Sequence, residues 1–134
     1  GYGQSSTMTL SGLTTSDTSV NLFVNSSSTD TVIARNNATL TTFQGFEANV
    51  IGVRTGGTSG AGAVNDRIFL RVTGIVFLKH ASQTTATLGS FGETSRWDSE
   101  VVFSGKNDMH LEVTGDRNMN ISWSATLHLY EMRV

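Results

Sequence analysis

Hydrophobic and polar residues alternate along the C-terminal part of the chain, and this alternation predicts β-strands. The clearest segment runs from Ile121 to Tyr130, where every second side chain is apolar, the period of a strand with one buried face. Similar patterns run from Met109 to Thr114 and from Trp97 to Ser104. Turn residues separate the three segments, so we expect two hairpins and hence a three-stranded meander.

The middle of the chain predicts two long strands, Gly45–Thr55 and Arg67–His80, joined by the glycine-rich loop Gly56–Gly62. In the second strand both faces carry bulky apolar residues. One face is expected to meet the core, and the other to meet a second subunit. The alternative is that the domain's own loops cover this second face. The predicted interface residues on it are Phe69, Ile75 and Phe77.

The N-terminal part predicts shorter strands, separated by polar stretches. They lie near Met8–Leu10, Val20–Val24, Val32–Arg35 and Leu40–Phe43. With about eight or nine strands at short intervals and no helical pattern, the sequence predicts an all-β, antiparallel, jelly-roll-like sandwich. We expect one domain over residues 1–134, because the length is that of a single ordinary core.

Composition narrows the possible partners. The chain of 134 residues has no cysteine, few charged residues and a formal net charge of −2, so neither a disulfide nor an electrostatic attraction to nucleic acid is expected. Its longest apolar run, Gly74–Leu78, is too short for insertion into a membrane. Because the chain starts at Gly1 without an initiator methionine, we expect it to be part of a longer protein.

The sequence contains no motif that predicts catalysis. No serine lies in a G-x-S-x-G elbow, and the glycine-rich loop lacks the Gly-Lys-Ser/Thr of a phosphate-binding loop. The three histidines, His80, His110 and His128, fall on different predicted strands without metal-ligand spacing. We therefore expect no catalytic residue, no metal and no cofactor.

Two glutamates form the one local arrangement that suggests a site. If Phe103 pairs with Met109 across the predicted hairpin, Glu100 lies directly opposite Glu112 on the polar face. Like charges in that position destabilise a sheet, unless a cation, an arginine such as Arg96 or Arg71, or a neighbouring subunit compensates for them. The alternative is that the two carboxylates separate in water and interact weakly.

Several segments together resemble a known type of domain. They are Leu13–Phe23, Val32–Thr39, Phe46–Thr55, Phe69–Ile75, Trp97-Asp98, Leu111–Gly115, Ile121–Ala125 and Tyr130–Val134. In order and spacing they resemble the C-terminal β-sandwich domain of bacteriophage tail fibres, tailspikes and other virion structural proteins. The chain departs from that family in its last turn, where Gly115–Met119 replaces Gly-Glu-Ala-Gly-Lys.

The resemblance implies a module at the tip of a fibre or spike on the virion. It implies a homotrimer that also contacts other virion proteins and attaches to a host-surface polysaccharide. Binding is then expected from polar-face residues and from an aromatic ring that stacks on a sugar. The candidates are His128, Tyr130, Glu100 and Glu112, whereas Trp97 and Trp123 are expected in the core.

Two other functions remain open from the sequence. One is a purely structural module, such as a capsid decoration protein, a head fibre or a trimerisation clamp. The other is a glycan-cleaving enzyme, which would need a pair of carboxyl groups. Asp98 with Glu100 or Glu112 would supply that pair.

Overall fold

Ten β-strands and no helix make up the part of the chain that the computed structural model describes, residues 2–35, 42–78, 80–105 and 108–133. The strands are β1 (Tyr2–Thr14), β2 (Val20–Asn21), β3 (Phe23–Val24), β4 (Ala34–Arg35), β5 (Thr42–Gly56), β6 (Arg67–Phe77), β7 (His80–Phe91), β8 (Asp98–Ser104), β9 (Asp108–Thr114) and β10 (Asn120–Arg133). The predicted all-β class is confirmed. The predicted strand start at Leu40 lies outside the described residues.

The strands form two antiparallel sheets. The large sheet has six strands in the order β3-β1-β10-β5-β6-β7. In the small sheet, β9 pairs with β8 along one edge and with the short strands β2 and β4 along the other. The two sheets pack face to face as a β-sandwich.

The core lies between the sheets, because alternate residues of the long strands point inward. On β10 these are Ile121, Trp123, Ala125, Leu127 and Leu129, all of them buried. The small sheet contributes apolar residues such as Leu111 and Val113, and Trp97 packs edge-on against Trp123 with ring centroids 5.9 Å apart. Both tryptophans are therefore core residues, as predicted.

The predicted C-terminal meander is only half correct. β8 and β9 form the expected hairpin, with Phe103 paired to Met109. The expected β9–β10 hairpin is wrong, because β10 belongs to the large sheet and lies between β1 and β5. The connection 115–119 crosses from one sheet to the other, and its last residue, Met119, is fully buried in the core.

The two long middle strands are confirmed as β5 and β6, but the predicted end of the second strand is wrong, because β6 ends at Phe77 and His80 begins β7. The chain then turns at Leu78, a residue with a positive φ of 56°, and returns as β7 along the free edge of β6. No strand was predicted for β7, whose sequence lacks the apolar alternation of its neighbours. The described residues contain no helix able to cross a membrane.

Candidate functional site

The outer face of the large sheet, which points away from the small sheet, carries the most exposed apolar surface of the described chain. Here the side chains that alternate with the core residues on β10, β5, β6 and β7 lie side by side, because the registers of these strands are continuous. They form an apolar cluster at each end of the strands and a polar belt between them.

The first cluster, called the Phe77 cluster, consists of Ile75, Phe77, Tyr130 and Met132. Ile75 is 56% and Phe77 57% exposed, and Tyr130 and Met132 are about half exposed. Tyr130 and Ile75 face each other across Gly45, which pairs with both. Because Gly45 has no side chain, it leaves a shallow gap beside the Tyr130 ring.

The second cluster, called the Phe91 cluster, consists of Ile51, Val53, Phe69 and Phe91. With Arg67, Ile68, Gly89 and Ser90 these residues line an open, almost entirely apolar pocket of about 300 Å³. The register of β6 and β7 shifts between Phe69 and Leu70, a bulge that bends the edge strand. Phe91 is 75% exposed and adds its ring to the contiguous apolar patch that Ile51 and Phe69 form.

The polar belt separates the two clusters. Arg71 donates a hydrogen bond to Asn49 Oδ1 at 3.1 Å and lies 3.5 Å from the carboxylate of Glu47. On the neighbouring strand His128 Nδ1 is 3.1 Å from the Thr7 hydroxyl. The belt thus carries one positive and one negative charge, and its hydrogen-bonding groups are already partly satisfied.

The predicted interface residues Phe69, Ile75 and Phe77 lie on this face, exposed by 37%, 56% and 57%. Cover by a second subunit and cover by the domain's own loops both stay predictions. The predicted binding residues His128 and Tyr130 lie on the same face, and Tyr130 is part of the Phe77 cluster. A role for any of these residues in binding or in an oligomer stays a prediction.

Sequence reasoning missed Phe91 and Ile51. Phe91 ends a strand that was not predicted, within the glycine-containing segment 88–92. Ile51 has a usable signal: it is out of phase with the buried residues Val50 and Ala48 of the same strand. This apolar residue at a polar position of an alternating strand is informative because it joins Phe69 and Phe91 in one contiguous patch.

The other two candidates, Glu100 and Glu112, lie on the outer face of the small sheet, on the opposite side of the sandwich from Tyr130. They are direct cross-strand partners, as the predicted register required. Partial burial and the neighbouring charge of Glu100 raise the pKa of Glu112 above its ordinary value of 4.5, and Asp98 adds to this effect. A hydrogen bond from Ser19 opposes the shift.

Replacing Glu112 with glutamine is expected to raise the free energy of unfolding at pH 7 by up to about 1 kcal/mol. A carboxyl group whose pKa is raised by folding destabilises the folded state while it is ionised, so this gain is present above the raised pKa. It disappears as the pH falls through that pKa to below 4.5. Urea unfolding from pH 4 to pH 7 measures the effect.

Glu100→Gln is the matched control, because it removes the same repulsion from the more exposed partner. It should give a smaller gain in unfolding free energy at pH 7. Equal stability of wild type and both variants at every pH would show that the two carboxylates separate in water, as the alternative interpretation states.

The described residues contain no group of three or more histidine, aspartate or glutamate side chains close enough to hold a metal ion. The carboxylates of Asp98, Glu100 and Glu112 also lie far from the apolar pocket, which belongs to the other sheet.

Comparisons with known proteins find little sequence similarity. No protein family model matches the chain, and no curated protein matches it significantly. Among solved structures, the chain is similar to the tailspike protein of an Acinetobacter phage, with a TM-score of 0.44 and 12% sequence identity. The similarity covers 92% of this chain and 20% of the tailspike protein, so the chain spans about one fifth of that protein's length.

Proposed function

We propose that this domain is an assembly module of a bacteriophage virion, at the tip of a fibre or spike, and that it forms a homotrimer through the outer face of the large sheet. The observation that carries the proposal is the pair of exposed apolar clusters on that face. A face with this much exposed apolar surface is a typical protein interaction site. The resemblance of the sequence to tail-fibre and tailspike domains supports a place on the virion surface.

When three subunits associate through this face with the three-fold axis along the strands, the polar belt of each subunit contacts the polar belt of its neighbour. Each apolar cluster contacts the same cluster of the neighbouring subunit. Apolar side chains then leave water, while Arg71 and Glu47 meet charges of both signs at the same level of the neighbouring subunits. The domain needs no catalytic residue of its own for this function, and we propose none.

The double variant Phe69→Ser with Phe77→Ser is expected to weaken the trimer at least about 100-fold. Burying one large apolar side chain is worth about 1.5–3 kcal/mol, and each 1.4 kcal/mol changes an association constant about tenfold. Analytical ultracentrifugation at micromolar concentration should show a mass of three subunits or a multiple of it for the wild type, and at most a dimer for the variant, with equal circular dichroism spectra.

Val64→Ser is the matched control, because Val64 is an exposed apolar residue, 52% accessible, in the loop between β5 and β6 and outside both clusters. It should leave the trimer intact. A wild-type protein that stays monomeric at micromolar concentration would overturn the proposed oligomer. If the Phe69→Ser, Phe77→Ser variant remains trimeric, the trimer contact lies on another surface.

Attachment to a host polysaccharide is the second part of the proposal. Glu100 and Glu112 stay accessible for it on the outer face of the small sheet, where their carboxylates can accept hydrogen bonds from sugar hydroxyls, whereas the proposed trimer covers Tyr130 with the rest of the Phe77 cluster. Binding of the domain to an array of bacterial surface glycans tests it. Absence of binding across such an array would leave the purely structural function, as a decoration or trimerisation module, as the better account.

A further inference from the structure

We infer that β7 pairs edge to edge with β7 of a second copy of this chain, antiparallel and around a two-fold axis. This contact goes beyond the trimer proposed above, since it uses the edge of the large sheet instead of its outer face. It would join two subunits into one continuous sheet.

The outer edge of β7 lacks the features that normally protect an exposed strand. β7 is 12 residues long and pairs along one side with β6, and no described strand pairs with its other side. From His80 to Phe91 it contains no lysine, arginine, aspartate, glutamate or proline. Natural proteins block exposed edges with such residues or with bulges, and the register shift of β7 affects only its end, beyond Thr87.

Side chains of β7 block the edge of the neighbouring strand β8. The Gln83 amide bonds Val101 of β8 as a strand would: its Oε1 accepts from the Val101 N–H at 2.8 Å and its Nε2 donates to the Val101 carbonyl at 2.9 Å. The Thr85 hydroxyl donates to the Ser99 carbonyl at 2.8 Å. The free edge of β8 is thus occupied along its centre.

β1 at the other side of the large sheet is also partly blocked. β3 pairs with it at Leu10 and Ser11, and Asn25 exchanges hydrogen bonds with the backbone of Thr9. In the described chain, β7 therefore has the longest edge that neither another strand nor a side chain occupies.

The uncharged sequence of β7 fits a second copy of itself as the partner. In an antiparallel two-fold contact, residues equally far from the axis face each other, and only a residue on the axis faces its own copy. No register of β7 against itself brings two like charges together, because the strand contains no lysine, arginine, aspartate or glutamate, and its outward-facing centre, Ser82, Thr84 and Ala86, is small. Paired threonines and serines across antiparallel strands are favourable.

The antiparallel direction is inferred from the positions of the two apolar clusters on the outer face. The Phe91 cluster lies at one end of β6 and β7, and the Phe77 cluster lies at the other end. Antiparallel pairing of two β7 strands places the Phe91 cluster of one copy beside the Phe77 cluster of its neighbour. The two patches then merge into a larger apolar surface that remains available for the face contact.

Cysteine scanning tests the inference cleanly, because the chain has no cysteine of its own. Ser82→Cys, Thr84→Cys and Ala86→Cys are oxidised singly and as pairwise mixtures, and dimers are counted on denaturing gels. Directly opposed residues bring their Cβ atoms to about 4.5–5.5 Å, against about 7–8 Å for diagonal ones, and a disulfide needs about 3.5–4.5 Å. The combinations that fit one register, namely a variant on the axis or a mixture of two variants equally far from it, should therefore form dimer in at least tenfold excess over the others.

Thr18→Cys, at an exposed turn residue, measures random cross-linking. Yields equal to this control at every β7 position would overturn the inference. Adding Thr84→Lys to a cross-linking variant should abolish the dimer, since each strand then brings a lysine into the centre of the contact. Retention of the cross-link in the Phe69→Ser, Phe77→Ser background shows that the edge contact stands even if the proposed trimer fails.

Discussion

Replacing Trp123 with alanine is expected to lower the free energy of unfolding by about 3–5 kcal/mol, the largest effect of any single substitution considered for this domain. The ring is buried at the centre of the sandwich and packs edge-on against Trp97. Its indole N–H donates to the Thr14 hydroxyl at 2.9 Å. Truncation therefore creates a cavity and leaves a buried hydroxyl without its donor.

The Trp123 ring also depends on a glycine. Gly52 is its cross-strand partner on β5, and a Cβ atom at Gly52 would lie 2.7 Å from the ring. Gly52→Val is therefore expected to destabilise the domain by about 1–3 kcal/mol through overpacking. In the double variant Trp123→Ala, Gly52→Val, the valine fills part of the space that the ring has left. The losses of unfolding free energy in the two single variants should therefore not add.

Chemical denaturation of the two single variants and the double variant measures this coupling. Trp123→Phe is the control, since it keeps an aromatic ring at the position but loses the hydrogen bond to Thr14, and it should cost less than alanine. Strictly additive losses in the double variant would show that the ring does not rest on Gly52.

The fold was predictable from the sequence where one face of a strand is apolar. β10 and the β8–β9 hairpin show this, because the alternation fixes both the strand and the side that is buried. The pairing of Glu100 with Glu112 followed from the hairpin register alone. Short-range patterns of this kind need no knowledge of the rest of the molecule.

The failures have a common physical cause. Alternation identifies a strand but not the sheet that it joins, so β10 was placed beside β9 although it lies between β1 and β5. β7 gave no signal because its inward residues, such as Gln83 and Thr85, bond the edge of β8 instead of filling the core. Its pattern is that of a strand at the rim of the sandwich.

The candidate surfaces were predictable to a similar extent. Phe69, Ile75 and Phe77 stood out because they are bulky residues on the second face of a strand whose first face is already apolar. Phe91 and Ile51 complete the pocket only after the sheet has aligned β5, β6 and β7. The sequence separates these residues by up to 40 positions, and no local pattern connects them.

Arg54 links the stability of the domain to the Phe91 cluster. Its guanidinium is buried, only 3% exposed, and donates to the carbonyl oxygens of Gly56, Ser59 and Ala61 at 2.9, 3.0 and 2.7 Å. The glycine-rich loop is therefore wrapped around a fixed charge. A buried charge of this kind is stable only while its hydrogen bonds are complete.

Asp66 holds the far end of the same loop. Its carboxylate accepts from the backbone N–H groups of Ala63 and Glu93, at 2.9 and 3.1 Å. These two hydrogen bonds, followed by the charge of Arg54, lower the pKa of Asp66 below its ordinary value of 3.8. Glu93 comes two residues after Phe91, so Asp66 ties the β5–β6 loop to the strand end that carries Phe91.

Replacing Arg54 with methionine is expected to lower the free energy of unfolding by about 2–4 kcal/mol, because orphaned buried acceptors cost about 1–3 kcal/mol each and the exposed part of the loop regains water. Arg54→Lys is the matched control: it keeps the charge, but a single ammonium group does not reach three carbonyls in a fixed fork. Its loss of stability should be intermediate.

Hydrogen exchange distinguishes a local role of Arg54 from a global one. In Arg54→Met the amides of Ala63 and Glu93 should exchange faster than those of β9, since the loop and the start of the 92–97 segment open together while the core stays closed. The Phe91 side chain then loses its fixed position, and self-association through the outer face should weaken with it. An even rise in exchange across all strands would contradict this link and leave Arg54 with a role in global stability alone.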